Sequence, residues 1–132
     1  MKKGFTMLEL IVVIIIIGIL GTLGFTQYAR VVEKGRSAEA KVLLGQVRSA
    51  QEAYRLESGG YTIAMGDLAV DSPTSCTATH YFRYSVTVAN SATATRCTTT
   101  GAAGGKAPAS SVAYTIALTY AGGVWSGSAG YY

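Results

Sequence analysis

The chain has 132 residues, which leaves room for one modest domain once any long apolar segment has been subtracted. Its formal net charge is +4, and the basic residues of the C-terminal half, Arg83, Arg96 and Lys106, are scattered among Ser, Thr, Ala and Gly. This pattern argues against a dedicated nucleic-acid-binding domain, which gathers its cations into a patch. Weak adhesion of nucleic acid stays open but has no support in the charge pattern.

A long apolar run follows the first residues of the chain. Between residues 5 and 25, Glu9 is the only charged residue. The run reaches the ~20 residues that cross a bilayer as a helix, and Lys2 and Lys3 before it predict a cytoplasmic N-terminus. An ordinary signal peptide has a shorter apolar core and a small-residue cleavage site beyond it. On these residues alone, an uncleaved signal anchor or an unusual signal peptide are the alternatives.

Four residues and an apolar stretch stand together at the start of the chain: Gly4, Phe5, Thr6, Glu9 and the Ile/Val/Leu run to Leu20. This arrangement resembles the prepilin signature of type IV pilins and pseudopilins, most strongly over residues 1–28. The resemblance implies that a membrane aspartyl peptidase cuts after Gly4 on the cytoplasmic side and methylates the new amino group of Phe5. It also implies a four-residue leader.

Glu9 is the residue expected to carry assembly. An ionised carboxylate costs several kcal/mol at membrane depth unless it is paired or held near the interface. The resemblance implies that Glu9 of one subunit meets the α-amino group of Phe5 on a neighbour and so fixes the stagger between helices. The alternative is that Glu9 favours the positive end of its own helix dipole, worth ~0.3–1 kcal/mol.

Gly18, Gly21 and Gly24 lie near one helical stripe and permit close approach of another helix backbone. Each also weakens the helix by ~1 kcal/mol relative to alanine. The family often carries a proline where this chain has Thr26. Our hypothesis is therefore that the glycines supply local flexibility or melting during filament packing.

Beyond Arg30 the pattern becomes amphipathic. One predicted apolar stripe consists of Leu43, Val47, Ala50 and Tyr54. The Ser-Gly-Gly at residues 58–60 is a stop signal, so we expect one helix over about residues 5–57.

The C-terminal half alternates with a period of two, which predicts half-buried strands. The residues expected on the buried face are Phe82, Tyr84, Val86, Val88, Val112, Tyr114, Ile116, Leu118 and Tyr120. A further strand is expected near residues 93–98, and Gly122-Gly123 predicts a hairpin into Val124-Trp125. The sheet needs a cover, and the helix stripe supplies it. The fold class is therefore α+β, with a long N-terminal helix on a small antiparallel sheet, as in pilins.

The two cysteines, Cys76 and Cys97, fall in the half expected outside the cytoplasm, and we interpret them as one disulfide. Two unrelated small residues or a metal pair are the alternatives, and metal is disfavoured because the chain has one His and no Cys-x-x-Cys. Asp67 and Asp71 without neighbouring oxygen ligands favour loop solvation over calcium. No metal, cofactor or catalytic constellation is expected, so the chain is not interpreted as an enzyme.

Four segments are expected: a leader over residues 1–4, a membrane and filament-core helix over 5–28, an amphipathic half over 29–58, and a disulfide-containing β head over 59–132. The expected function is a structural subunit of a type IV pilus that serves adhesion, motility or DNA uptake. The alternatives are a type II secretion-type pseudopilin and a non-polymerising, membrane-anchored adhesion or DNA-binding module.

The expected partners are identical subunits in a helical homopolymer, the prepilin peptidase and methyltransferase, and the pilus assembly machinery. Membrane lipid surrounds the helix before assembly. The precursor is expected in the inner membrane with one span, and the mature subunit in an extracellular filament on the bacterial surface.

Overall fold

The computed structural model describes residues 4–87, 90–98, 104–106 and 112–131, without the side chains of Thr26 and Thr87. The chain divides into two compact units, Met1–Gly35 and Arg36–Tyr132. The first unit contains the apolar part of the helix, and the second contains its amphipathic part with the sheet.

Helix α1 runs over Met7–Ser58. It ends where the sequence predicts, because Gly59 takes a left-handed conformation with φ of 83°. The amide of Gly59 donates to the carbonyl of Arg55 at 2.9 Å, and the Ser58 hydroxyl donates to the carbonyl of Tyr54 at 2.6 Å. These bonds satisfy carbonyls that the end of a helix otherwise leaves without partners.

Four antiparallel strands form one sheet in the order β1-β2-β3-β4. They are β1 Phe82–Thr87, β2 Ser91–Arg96, β3 Thr115–Thr119 and β4 Trp125–Gly127. The predicted strands and the hairpin from β3 into β4 are therefore confirmed. A short 3₁₀ helix, Met65–Asp67, lies in the connection between α1 and β1.

The core lies between the second part of α1 and one face of the sheet. Its buried members include Leu44, Val47, Phe82, Ile116 and Leu118. The α+β prediction of a long helix on a small antiparallel sheet is thus confirmed.

The buried line of the helix differs from the predicted stripe by about one position. Ala40, Leu44, Val47 and Gln51 are fully buried, whereas Leu43, Ala50 and Tyr54 flank this line and are half-buried. A stripe defined by apolar residues alone leaves out Gln51, which is polar and buried. Val112 also departs from expectation: it precedes β3 and stays 60% exposed. Val88 falls outside the described residues.

Gln51 fastens the connection that follows α1. Its Nε2 donates to the Thr62 carbonyl at 2.8 Å, and its Oε1 accepts the Thr62 amide at 3.1 Å. The Thr62 hydroxyl then donates to Asp67 Oδ2 at 2.7 Å. The buried amide therefore satisfies both backbone groups of a buried residue, as a neighbouring strand would. Asp67 has a structural role in this loop.

Two ionisable groups beside this loop stabilise each other. The Tyr61 hydroxyl donates to Glu52 Oε1 at 2.9 Å, and Arg55 pairs with Glu52 Oε2 at 3.0 Å. The hydrogen bond from Tyr61 lowers the pKa of Glu52, with a smaller contribution from Arg55. The same bond raises the pKa of Tyr61.

The predicted disulfide joins Cys76 to Cys97, with the two Cα atoms 5.9 Å apart. It links the connection before β1 to the residue after β2. A ring of this size contributes ~3 kcal/mol in the loop-closure model. Gly105 packs directly against it, since a Cβ at this position would overlap the Cβ of Cys97. The next amide, of Lys106, donates to the His80 carbonyl at 2.9 Å.

Replacing Gln51 by Ala should destabilise the second unit by roughly 2–4 kcal/mol, because Thr62 loses the partners of both its backbone groups. Gln51→Glu should also destabilise it, because a carboxylate cannot donate to the Thr62 carbonyl and is buried as a charge. The measurement is chemical unfolding of the full chain in mild detergent, followed by near-ultraviolet circular dichroism.

Gln46→Ala is the matched control for this prediction, because Gln46 is exposed on the same helix. Unfolding of Gln51→Ala at the same denaturant concentration as Gln46→Ala would show that the amide bridge does not stabilise the fold.

Candidate functional site

The expected cleavage bond lies just before the helix. Gly4 and Phe5 belong to no regular secondary structure, and the Phe5 side chain is 81% exposed. The first helical bond is donated by the Leu10 amide to the Thr6 carbonyl at 3.3 Å. The Gly4–Phe5 peptide therefore stays outside the helical hydrogen-bond ladder, where a peptidase can reach it.

Thr6 and Glu9 cap the helix reciprocally. The Glu9 amide donates to Thr6 Oγ1 at 3.2 Å, and the Thr6 amide donates to Glu9 Oε2 at 3.1 Å. The Thr6 hydroxyl lies 3.1 Å from the same Oε2 and donates to it. Each side chain thus satisfies a backbone amide of the other residue, which defines a capping box.

The capping box was readable in the sequence but was not predicted. Its signal is the Thr-x-x-Glu spacing immediately before an apolar run. The sequence reading assigned Glu9 to a neighbouring subunit or to the helix dipole, and overlooked Thr6 as its partner within the chain. Cleavage after Gly4, methylation of Phe5 and pairing of Glu9 with another subunit stay predictions.

The cap occupies one carboxylate oxygen of Glu9. All of its hydrogen bonds use Oε2, and among the described residues Oε1 contacts no donor. The carboxylate lies in the first turn of α1, next to the N-terminal end of the helix. Glu9 can therefore receive a cation on Oε1 while Thr6 holds Oε2.

The first unit exposes apolar side chains on every side of α1. From Met7 to Phe25 the large apolar residues keep between 46% and 79% of their surface exposed. In the described part of the chain, α1 is the one helix long and apolar enough to cross a membrane, and its most apolar window has no burial within the chain. A surface of this extent requires lipid or other protein to cover it.

The predicted packing glycines lie in this exposed part of the helix. A Cβ at Gly18, Gly21 or Gly24 would meet no atom within 4 Å, so no contact within the chain requires glycine there. Thr22 lies among them and donates its hydroxyl to the Ile19 carbonyl at 2.8 Å. Lipid offers no hydrogen-bond acceptor in the membrane interior, so this bond gives the Thr22 hydroxyl its partner. The helix is continuous here, and melting during assembly stays a hypothesis.

The described residues contain no group of three or more His, Cys, Asp or Glu side chains placed to hold a metal ion. His80 lies beside hydroxyls, with its Nδ1 2.9 Å from Thr79 Oγ1 and 3.4 Å from Thr77 Oγ1.

Comparison with protein families matches two parts of the chain. Residues 37–130 match the family described as type IV pilin-like G and H, and residues 1–25 match the prokaryotic N-terminal methylation motif. No curated protein and no solved structure matches the chain.

The first of these matches covers most of the chain, so the protein belongs to the type IV pilin-like G and H family. Together with the methylation motif, it defines a subunit of the pilin and pseudopilin class, as the sequence predicts. Members of this class are structural proteins that assemble as homopolymers after processing by a prepilin peptidase. The long apolar helix fits a membrane-anchored precursor.

Replacing Thr6 by Val should loosen the first turn of α1 by about 1 kcal/mol, because the cap loses both its hydroxyl contacts. Amide hydrogen exchange of Glu9 and Leu10 should then accelerate roughly fivefold in detergent micelles, because these two amides donate to Thr6. Thr6→Ser keeps the hydroxyl and should exchange like the natural chain. Equal exchange rates in Thr6→Val and Thr6→Ser would contradict a stabilising cap.

Proposed function

We propose that this chain is the structural subunit of a type IV pilus filament, which is assembled through its N-terminal helix and serves adhesion, motility or DNA uptake. It is inserted as a single-span precursor, cut between Gly4 and Phe5, and methylated on the new amino group. The observation that carries the proposal is the helix of the first unit, whose large apolar side chains are exposed on every side in the described part of the chain.

The exposed helix supports a polymer because the same surface fits two environments. In the membrane, acyl chains cover its Ile, Val and Leu side chains. After extraction, only other apolar surfaces can exclude water from them. Identical chains that contact one another through different patches form an open helical array when the repeated rotation does not close into a ring. The helix then lies in the filament core, and the second unit forms its outer surface.

Charge pairing at the start of the helix sets the axial offset between neighbouring subunits. Cleavage after Gly4 creates an ammonium group on Phe5 in every subunit. Glu9 supplies a carboxylate whose Oε1 faces no donor within the described chain. Two opposite charges that are both removed from water stabilise one another strongly enough to select a register. Glu9 of one subunit therefore pairs with Phe5 of a neighbour.

The second unit favours an exposed fibre over a secretion pseudopilin. It carries a disulfide, Cys76–Cys97, which suits an oxidising exterior. The C-terminal half of the chain is rich in Ser, Thr, Ala and Gly. These features suit a head that meets the medium along the whole filament.

The N-terminus of the mature protein tests the processing step. Intact mass and N-terminal sequencing of protein sheared from cells should give a chain that begins with methylated Phe5. Recovery of that species in fibres supports the pilus subunit. An unmodified chain that begins at Met1 and is absent from any fibre would instead identify a monomeric membrane anchor.

Three substitutions separate the charge of Glu9 from its capping role. Glu9→Gln keeps the cap acceptor but removes the charge, because glutamine also serves in capping boxes. Glu9→Ala removes both, and Thr6→Val removes the two hydroxyl contacts of the cap but keeps the charge. We expect Glu9→Gln and Glu9→Ala to insert in the membrane normally yet reduce filament yield at least about tenfold, the effect of ~1.4 kcal/mol.

Thr6→Val should retain most of the yield, since its carboxylate can still meet the neighbouring ammonium. Electron microscopy of sheared fibres gives the yield, and immunoblots of membranes give the insertion control. Normal filaments from Glu9→Ala would overturn the intersubunit pairing. If Glu9→Gln forms normal filaments and Thr6→Val forms few, the helix cap, and not the charge of Glu9, determines filament yield.

A further inference from the structure

Two grooves lie beside the outward face of α1 in the second unit. Gly45 and Ser49 line both of them, so the grooves lie at the same level along the helix. At about 100° per residue, Gln46 and Ala50 place one groove on one side of these shared residues, and Arg48 places the other on the opposite side. The grooves have volumes of about 630 and 540 Å³, within the range of sites that receive another molecule.

Arg48 lines the second groove, which we call the arginine groove. Its Nε donates to the Tyr120 carbonyl at 2.9 Å, and its guanidinium lies against Gly123, where a Cβ would come within 2.8 Å of Nη1. These contacts hold the side chain in place. Neither Nη group donates a hydrogen bond to the described residues. The guanidinium can therefore bind a carboxylate through two parallel hydrogen bonds.

Glu52 also lines the arginine groove, but its two oxygens already have partners. Oε1 accepts a hydrogen bond from Tyr61 at 2.9 Å, and Oε2 pairs with Arg55 at 3.0 Å. Among the described residues, Arg48 makes no ion pair with Glu52. The Nη groups of Arg48 are thus available to a carboxylate from outside the subunit.

The groove on the other side of α1 contains the matching carboxylate, and we call it the aspartate groove. Asp71 is exposed and is the one charged residue among the described residues that line this groove. Its carboxylate makes no hydrogen bond or ion pair with the described residues. The two grooves of one subunit therefore carry opposite charges that can each accept a further partner.

The apolar parts of the two grooves also complement each other. In the arginine groove, Leu56 is 82% exposed and Trp125 is 37% exposed. The aspartate groove is lined by small side chains, including Ala50 and Ala69. A large apolar side chain can pack against such small residues and leave the water that surrounds it.

We propose that the arginine groove of one subunit binds the aspartate groove of a neighbouring copy, with Arg48 paired to Asp71 and Leu56 packed against the small residues. This inference rests on the proposed function, because it needs a polymer. The two grooves are different patches of one chain, so the contact is heterologous and can repeat from copy to copy.

A second copy suits these grooves better than a free anion does. A free carboxylate or phosphate would bind Arg48 but would leave Asp71 and Leu56 without partners. In a homopolymer each copy supplies both grooves in equal number, and the class to which this chain belongs assembles in that way. A charged pair of this kind chiefly sets register and excludes wrong alignments. The contact therefore aligns the second units, whereas Glu9 aligns the first units.

Charge reversal at Asp71 tests this contact. Asp71→Lys should lower filament yield at least about tenfold, because two cations then face each other across the contact. Asp71→Asn removes the charge without reversing it and should lower the yield less. Glu57→Lys is the matched control, since it makes the same change of charge at an exposed residue that lines neither groove. Electron microscopy of sheared fibres gives the yield.

A second substitution in the arginine groove should rescue Asp71→Lys. Arg48→Glu restores opposite charges but loses the bond to the Tyr120 carbonyl. Ala53→Glu leaves Arg48 in place and adds a carboxylate at an exposed position of the same groove. We expect at least one of the two to restore the yield to within about threefold of the natural chain, and mature subunit in the membrane is the folding control.

Normal filaments from Asp71→Lys would overturn the contact. A loss that neither Arg48→Glu nor Ala53→Glu reverses would also overturn it and would assign Asp71 to another partner. If Arg48→Glu fails to fold, Ala53→Glu alone decides between rescue and overturning. Absence of filaments from the natural chain would instead overturn the proposed function.

Discussion

The rest of this structure depends on one constraint: the apolar side chains of the helix in the first unit are not covered by other described residues of the chain. In most small domains, apolar side chains find their partners within the chain. Here the large apolar residues of the first unit are exposed all around the helix, so they need a cover of lipid or of other protein.

In the second unit, the same helix continues and buries its apolar side chains within the chain. Its apolar line, centred on Leu44 and Val47, is covered by the sheet, and Gln51 anchors the connection that leads towards it. This unit has its own core and its own disulfide. One helix thus combines a part whose apolar side chains are exposed with a part whose apolar side chains are covered by the sheet, and the change occurs near Gly35.

Much of this fold follows from local sequence patterns. Alternation of apolar residues located β1 and β3, Gly122-Gly123 located the hairpin, and Gly59 located the end of the helix. These signals are local, because period-two burial and positive φ each depend on a few neighbouring residues.

The features that sequence analysis missed depend on contacts between distant residues. Arg96 is buried because β2 directs it to the core face, where the carbonyl of Tyr81 and its own neighbour Cys97 accept its hydrogen bonds. Gln51 is buried because Thr62 presents backbone groups to it. A charge or an amide in a sequence predicts exposure until such partners are known. Thr6 is the exception, since its capping partner lies three residues away and its pattern was available.

The contact of Gly105 with the disulfide has a consequence for how this protein can vary. The connection between β2 and β3 is long, and Gly105 fixes its middle against Cys97. An insertion on either side of Gly105 leaves this anchored point in place and costs little entropy. Related chains can therefore differ in length on both sides of Gly105 while they keep the same strand order.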